Sequence, residues 1–369
     1  MKNKFLLFGF LCVALLSGCE KFGADDKFMR DIKLTKLTDY LYEVYYDSYD
    51  YDVAQKYNNE RFKLGACSSV RNGNFHGRNY DWYYDENVEF VVHTSATENR
   101  HASVGVAAIV PGLDAEFVAS GKYSDSYKLL PFRTVDGIND AGVVININVV
   151  PFGDKGKTIG TNPEFQDLFI VTVVRYVLDY ADSVDDAVRL LKERNIYAAD
   201  IDDVQEEVHF MISDKDKTVV VEFVDNKIQV VENANIMTNF YLSTDLTAHA
   251  AGLERYNILR KNYENGANKD GMLNLMKSVW YTNAYDRNTT PFWYSEFSHD
   301  YTSDGYVDLT KDSPTSDYEF IVDKAVSLFD NRARDSKTWQ TVHTSVYDLE
   351  NKTLTIVPQE GNEKFEFKI

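Results

Sequence analysis

Cysteine is scarce: the 369 residues hold three, at positions 12, 19 and 67. With only Cys67 in the folded body, no intramolecular disulfide and no cysteine-rich metal site is available. Proline is also sparse, seven in all, and no low-complexity linker or internal repeat follows residue 66, which points to one domain rather than a string of them. Positive charge is deficient, with 39 Lys+Arg against 58 Asp+Glu and a formal net charge of −19. No basic stripe interrupts that acidic surface, which argues against a nucleic-acid partner. The seven histidines show no pairing at metal-ligand spacing. What is abundant is apolar and aromatic material, including 25 Tyr and 22 Phe. That composition excludes disorder for most of the chain and leaves enzymes and binding modules.

The first residues read as an export signal. Lys2 and Lys4 precede an apolar run from Phe5 to Leu16, about a dozen residues and too short to span a bilayer. Leu15-Leu16-Ser17-Gly18-Cys19 resembles the lipobox of bacterial lipoproteins, which implies cleavage before Cys19, lipidation of its sulfur and anchoring by acyl chains. An ordinary secretory signal with a chance cysteine is the alternative, and both export the protein to a periplasmic, outer-membrane or cell-surface location. Loss of the leader with Lys2 and Lys4 deepens the net charge from −19 to −21.

A lone thiol in an oxidising compartment is either buried and inert or used. Cys67 opens the run Cys-Ser-Ser-Val-Arg-Asn-Gly-Asn-Phe-His-Gly-Arg-Asn-Tyr-Asp-Trp. Asn72-Gly73 predicts a two-residue type I′ hairpin turn. In that register Arg71 pairs with Asn74 and Cys67 lies opposite Arg78, so a guanidinium sits near the sulfur and favours thiolate.

Cys67 followed by His76-Gly77-Arg78-Asn79-Tyr80-Asp81 resembles the start of the choloylglycine hydrolase family, which includes conjugated bile salt hydrolases and penicillin V acylases. The wording is also similar to the related acid ceramidases and N-acylethanolamine acid amidases. Further matches follow in the family's order: Asp136-Gly137-Ile138-Asn139-Asp140-Ala141-Gly142 as a turn, His209 to Asp214 with Val219 to Glu222 as a hairpin, Met237-Thr238-Asn239, Gly252 to Tyr256, and Val342 to Asp348 as a late strand.

The resemblance implies an N-terminal nucleophile hydrolase of linear amides. In that chemistry the nucleophile is the first residue of the working chain, because its free α-amine, with a pKa of about 7.7–8.0, takes the thiol proton. Since 66 residues precede Cys67, a second cut between Ala66 and Cys67 is required, expected by self-cleavage. The division is then a signal at 1–18, a lipid-anchored N-terminal segment at 19–66 and the hydrolase domain at 67–369. Carried over residue by residue, Arg78 and Arg255 order the site and lower the thiol pKa, and Asp81 holds the freed amine. Asn148, preferred over Asn146, and Asn239 contact the oxyanion. Trp82, Tyr83 and Phe240 are candidate pocket aromatics. No cofactor and no metal is implied. The partners are a small amide substrate and the membrane through Cys19, and self-association is left open. Two rivals remain: an inactive lipoprotein binding module on the same fold, and a papain-like protease using Cys67 and His343.

The pattern of elements suits the α+β class, as a four-layer αββα sandwich. Strands are expected at Cys67–Val70, Asn74–Tyr80, Glu89–Thr94, Ser103–Val110, Val143–Val150, Val208–Ser213, Thr218–Val224, Lys227–Val231, Thr341–Tyr347, Thr353–Val357 and Phe365–Lys368. Helices are expected at Pro163–Tyr180, Val184–Arg194 behind a Ser183 cap, Gly252–Tyr263 and Gly271–Trp280. Leu37, Tyr40, Leu41, Val44 and Tyr45 follow helical spacing in a segment with seven tyrosines between Tyr40 and Tyr57. Asp214 to Thr218 reads as a hairpin turn rather than a calcium loop, because it lacks the loop glycine and terminal glutamate.

Overall fold

The structure, a computed structural model, describes residues 24–56, 67–83, 88–108, 110–150, 162–197, 207–224, 227–244, 252–280, 339–358 and 363–369. The leader, Cys19 and the Ala66 side of the expected cut lie outside the described residues.

Two sheets face each other. The larger has nine strands. In spatial order they are β1 (Thr35–Lys36), β2 (Leu41–Tyr46), β5 (Glu89–Thr94), β6 (Ser103–Ala107), β7 (Thr134–Asn139), β8 (Val144–Val150), β11 (Glu207–Ser213), β12 (Thr218–Val224) and β13 (Lys227–Glu232). The smaller has six: β14 (Ile236–Met237), β3 (Cys67–Asn72), β4 (Phe75–Tyr83), β15 (Trp339–Asp348), β16 (Thr353–Pro358) and β17 (Phe365–Lys368). A parallel ribbon joins β9 (Gln166–Phe169) to β10 (Arg194–Tyr197). Helices cover both outer faces, giving the α+β class and the αββα order of layers.

Period-2 alternation assigns each side chain to a layer. On β7 and β8 the odd positions meet α4 (Val173–Tyr180) and α5 (Val184–Lys192). Ile145, Ile147 and Val149 share a core cluster with Val174, Val177 and Leu191. Gly137 lies so close to α4 that an added Cβ would stand 2.7 Å from Leu178 Cδ1. The Ser183 hydroxyl accepts from Asp186 N and caps α5 as the sequence predicts. On the far side, α7 (Lys269–Lys277) lies behind β4 and β15, where Asn79 Nδ2 donates to the Met276 carbonyl at 2.8 Å and Trp280 Nε1 to Thr344 Oγ1 at 2.6 Å. The even positions of β4, β7 and β8 are turned inward between the sheets, and several are polar: His76, Arg78, Asp136, Asn146 and Asn148 are all fully buried. A buried polar seam persists only where its members satisfy one another, so it marks the place to look for chemistry.

Three expectations are corrected. The 37–45 segment is not helical. Its core is β2, which pairs in parallel with β5 through all six residues. Tyr42, Val44 and Tyr46 are buried while Glu43 is half-buried and Tyr45 exposed, so the burial does alternate, but a tyrosine on the outer face and the buried Leu41 hide that period in the sequence. It packs with α1 (Ala24–Asp31), α2 (Tyr51–Lys56), α3 (Ala115–Ala119) and the 3-10 segment Asp125–Arg133 around Phe28, Val53, Val118 and Leu130. Residues 24–56 therefore belong to the same sheet and core as the rest. The expected helix from Pro163 begins only at Val173, after β9 and a 3-10 turn at Ile170–Thr172. The β-branched run from Ile170 to Val174 explains the late start. Finally, Asp136 to Asn139 are strand rather than turn. The reversal comes after them, with Gly142 at φ +90° and Asn139 Oδ1 accepting from Val143 N at 2.9 Å. The remaining helices hold, as α6 (Leu253–Lys261) and α7, and Asp214 closes its hairpin by accepting from the N–H groups of Asp216 and Lys217.

Candidate active site

Cys67 opens β3 and is fully buried between the sheets. The hairpin register differs from the expected one. Asn72 pairs with Phe75, Ser69 with Arg78, and Cys67 with Tyr80. The central turn residues are Gly73 and Asn74, and only Gly73 has positive φ, at +57°. Glycine at the first central position is the arrangement of a type II′ turn, which slides the ladder relative to a type I′ turn on Asn72-Gly73. Arg78 is thus diagonal to Cys67 rather than opposite it. Both point inward, and the long side chain still places Nη2 3.5 Å from Cys67 Sγ.

The other expected residues converge from distant elements. Asn239 follows β14, and its Oδ1 accepts from Cys67 N at 3.1 Å and from Arg255 Nη2 at 2.6 Å. One of its amide hydrogens goes to the Val149 carbonyl at 2.7 Å. Arg255 stands in the first turn of α6, behind Gly252 at φ +79°. A cation there opposes the helix dipole, so the helix itself gains nothing from it. Its Nη1 instead donates to Asp81 Oδ2 at 2.8 Å, and Thr341 Oγ1 donates to Asp81 Oδ1 at 2.6 Å. Asp245 and the Glu254 side chain, the partners a surface arginine would take, lie outside the described residues. Cys67, Arg78, Asp81, Asn239 and Arg255 therefore form one buried group.

Asn148 lies beside it. Its Nδ2 reaches the carbonyls of Thr238 at 3.2 Å and Met237 at 3.5 Å, so in this state it braces the chain just before Asn239. Asn146 is one step further along the seam, donating to Ser69 Oγ at 2.8 Å and to Asn148 Oδ1 at 3.0 Å. Trp82 is buried in the cluster that contains Cys67 and Tyr80, and Phe240 packs edge-on against Tyr256 with ring centroids 5.3 Å apart. Tyr83 is not among the described side chains. The dyad of a papain-like protease is absent, because both ring nitrogens of His343 are taken, by Glu89 Oε1 at 2.6 Å and Asp136 Oδ2 at 3.3 Å.

Burial pushes the Cys67 thiol up to about 11, against the pull of Arg78. The sulfur is therefore a protonated thiol at neutral pH. His76 is driven the other way, down to about 4 by burial. It is neutral, so with Nε2 donating to Asn146 Oδ1 its Nδ1 accepts from the Ser213 hydroxyl. The chain carrying Asn239 is fixed by a further pair. His209 Nε2 donates to the Thr238 carbonyl at 2.9 Å, and the Glu222 carboxylate accepts from the N–H groups of Leu242 and Ser243.

Sequence reasoning passed over Glu89, Asp136, His209, Glu222 and Thr341. Asp136 was visible only as part of a supposed turn and His343 only as half of a rival dyad. The usable signal was His343, Ser345 and Tyr347 at alternate positions of one strand, which puts three polar groups on one inward face. Burial opposes charge on Asp136, but Arg78 and His343 outweigh it and hold its carboxyl well below the usual range. Burial likewise opposes charge on His343, while Glu89 and Asp136 raise it to about 9. A raised histidine contributes stability that is complete below pH 6.5 and is lost as pH rises through 9. Urea midpoints should therefore fall between those values in the native chain, and that fall should shrink in His343→Gln. An unchanged slope would show that His343 is not charged in the folded state.

A family model described as linear amide C–N hydrolases of the choloylglycine hydrolase family matches residues 67–284. The match begins at Cys67. No curated protein matches the chain. Among solved structures, penicillin V acylase from Agrobacterium tumefaciens is similar at 16% identity, covering 82% of this chain and 86% of its own, with a TM-score of 0.44. A mutant conjugated bile acid hydrolase from Clostridium perfringens is similar at 16% identity, covering 83% and 97%, with a TM-score of 0.44.

Proposed function

The chain belongs to the choloylglycine hydrolase family of linear amide C–N hydrolases, and from that premise we propose that it is an exported, lipid-anchored cysteine amidase that matures by cutting itself between Ala66 and Cys67. The observation that carries the reading is the convergence of Arg78, Asp81, Asn239 and Arg255 on a buried Cys67 whose own backbone N–H donates to the Asn239 side-chain oxygen Oδ1.

In the precursor, the Cys67 sulfur attacks the Ala66 carbonyl carbon. The C–N bond breaks as the C–S bond forms, and the thiol proton passes to the departing nitrogen. Water then hydrolyses the thioester, leaving a carboxylate on Ala66 and a free amine and thiol on Cys67. In the mature enzyme that amine takes the thiol proton as sulfur attacks the substrate carbonyl. Amide donors of Asn239 and Asn148 meet the oxyanion, worth about 2.7–4 kcal/mol for each effective donor. Asn148 must release a carbonyl to do so. The protonated amine then gives its proton to the leaving nitrogen, and water releases the acid. Asp81, anchored by Arg255 and Thr341, orients the amine. The 1–18 leader and Cys19 lipidation place this chemistry outside the cytoplasm.

The substrate is a bile salt, penicillin V or another N-acyl amine or amino acid. A panel of those amides, quenched during turnover, is expected to leave an acyl adduct on the peptide beginning at Cys67, removed by hydroxylamine. Turnover without any adduct on that peptide would sink the thioester route, and the absence of both turnover and adduct across the panel would favour the inactive binding module.

A further inference from the structure

Arg78 is fully buried, and an unpaired guanidinium there would cost several kcal/mol. Its Nη1 pairs with Asp136, its Nη2 donates to the Ile147 carbonyl at 3.0 Å as well as to Cys67 Sγ, and its Cζ lies 4.8 Å from the Tyr80 ring centre. Asp136 does not stand alone either. It accepts from Tyr347 Oη, from Ser345 Oγ at 3.3 Å and from His343 Nε2 at 3.3 Å. His343 continues to Glu89 at 2.6 Å and stacks on Tyr80 with ring centres 5.3 Å apart. Sulfur, Arg78, Asp136, His343 and Glu89 thus form a row contributed by β3, β4, β7, β15 and β5, crossing from one sheet to the other.

We propose that Asp136, His343 and Glu89 are positioning residues for the Cys67 nucleophile, a buried row of alternating charge that aims the Arg78 guanidinium at the sulfur and sets how much positive field it delivers there. The proposal rests on the reading of Cys67 as the nucleophile. Asp136 by itself would anchor Arg78 but cancel much of its charge. The imidazolium of His343 and the hydroxyls of Ser345 and Tyr347 draw on the same carboxylate, so the guanidinium keeps its field at the sulfur. Glu89 keeps His343 protonated. The groups facing His343 are Glu89 from β5, Asp136 from β7, Tyr80 and Arg78 from β4, and Ser345 and Tyr347 from its own strand. Of these only the two carboxylates favour its proton. Once that proton is gone, Asp136 opposes Arg78 without compensation and thiolate is disfavoured.

The test is the pH dependence of iodoacetamide alkylation of Cys67 in purified full-chain protein, followed by mass on the Cys67 peptide. His343→Gln is expected to raise the apparent thiol pKa by about one unit, which slows alkylation near pH 7.5 about tenfold. Glu89→Gln is expected to follow the native curve at low pH and depart toward the His343→Gln curve as pH rises, because His343 then loses its proton earlier. Urea midpoints establish that each variant is folded, and His343→Gln carries the test should Glu89→Gln not fold. Curves for the folded variants that superimpose on the native one would overturn the proposal, since a purely structural role leaves the thiol titration unmoved. Turnover by Cys67→Ala decides the nucleophile reading separately, because the thiol titrates whether or not the chain is cut.

Discussion

Replacing Cys67 by alanine is expected to abolish both maturation and turnover, with the 19–369 chain persisting uncut and kcat/KM falling by at least about 10⁴-fold. The size of the loss follows from the geometry. In the proposed mechanism Cys67 supplies the attacking sulfur and, once freed, the amine that takes and returns the proton, so one substitution removes the nucleophile and the self-cleavage that creates its base. His343 cannot substitute, being held between Glu89 and Asp136. Stability should change little by comparison, since shortening the buried CH2–SH side chain to a methyl group removes one sulfur atom and loses packing over a small volume. Gel analysis with turnover measurements on the same preparation reads both effects. A variant that is cut normally, or one that retains a tenth of native turnover, would exclude Cys67 from the chemistry.

Arg255→Met is expected to cost about 3–5 kcal/mol of stability, because it leaves the buried Asp81 carboxylate without its cation. Adding Asp81→Asn should recover much of that loss, since the neutral amide can keep the Thr341 hydroxyl and no longer needs a counter-charge. Activity should not recover with stability. In the proposed mechanism Asp81 orients the amine, and Arg255 holds Asn239 Oδ1 at 2.6 Å, so the double variant should remain about 10²-fold or more below native in kcat/KM. Urea midpoints and kcat/KM across the four proteins of the cycle separate the two roles. Recovery of activity alongside stability would reduce the pair to a structural strut.

The parts of this site that were legible in the sequence are those written in short local wording. His76 to Asp81 and Met237 to Asn239 carry enough residues in fixed order to be matched, and the alternating strands around them were readable because one face of each meets a helix layer. Three kinds of information were not local. The hairpin register turned on which central residue takes positive φ, and Asn72-Gly73-Asn74 offers two ways to build a two-residue loop. β2 was misread because its outer face carries the exposed Tyr45 beside Glu43, so residue type does not follow the period that its burial follows. The charge row beyond Arg78 joins Glu89, Asp136 and His343, up to 254 residues apart. Each looks ordinary in its own strand, and only the packing of two sheets shows that four charges compensate one another.

The most direct measurement is the N-terminal sequence, with intact mass, of the large chain in purified active protein. A chain beginning Cys-Ser-Ser-Val, with the thiol free, is the predicted result. Active protein in which Ala66 and Cys67 are still joined by an intact peptide bond would contradict it.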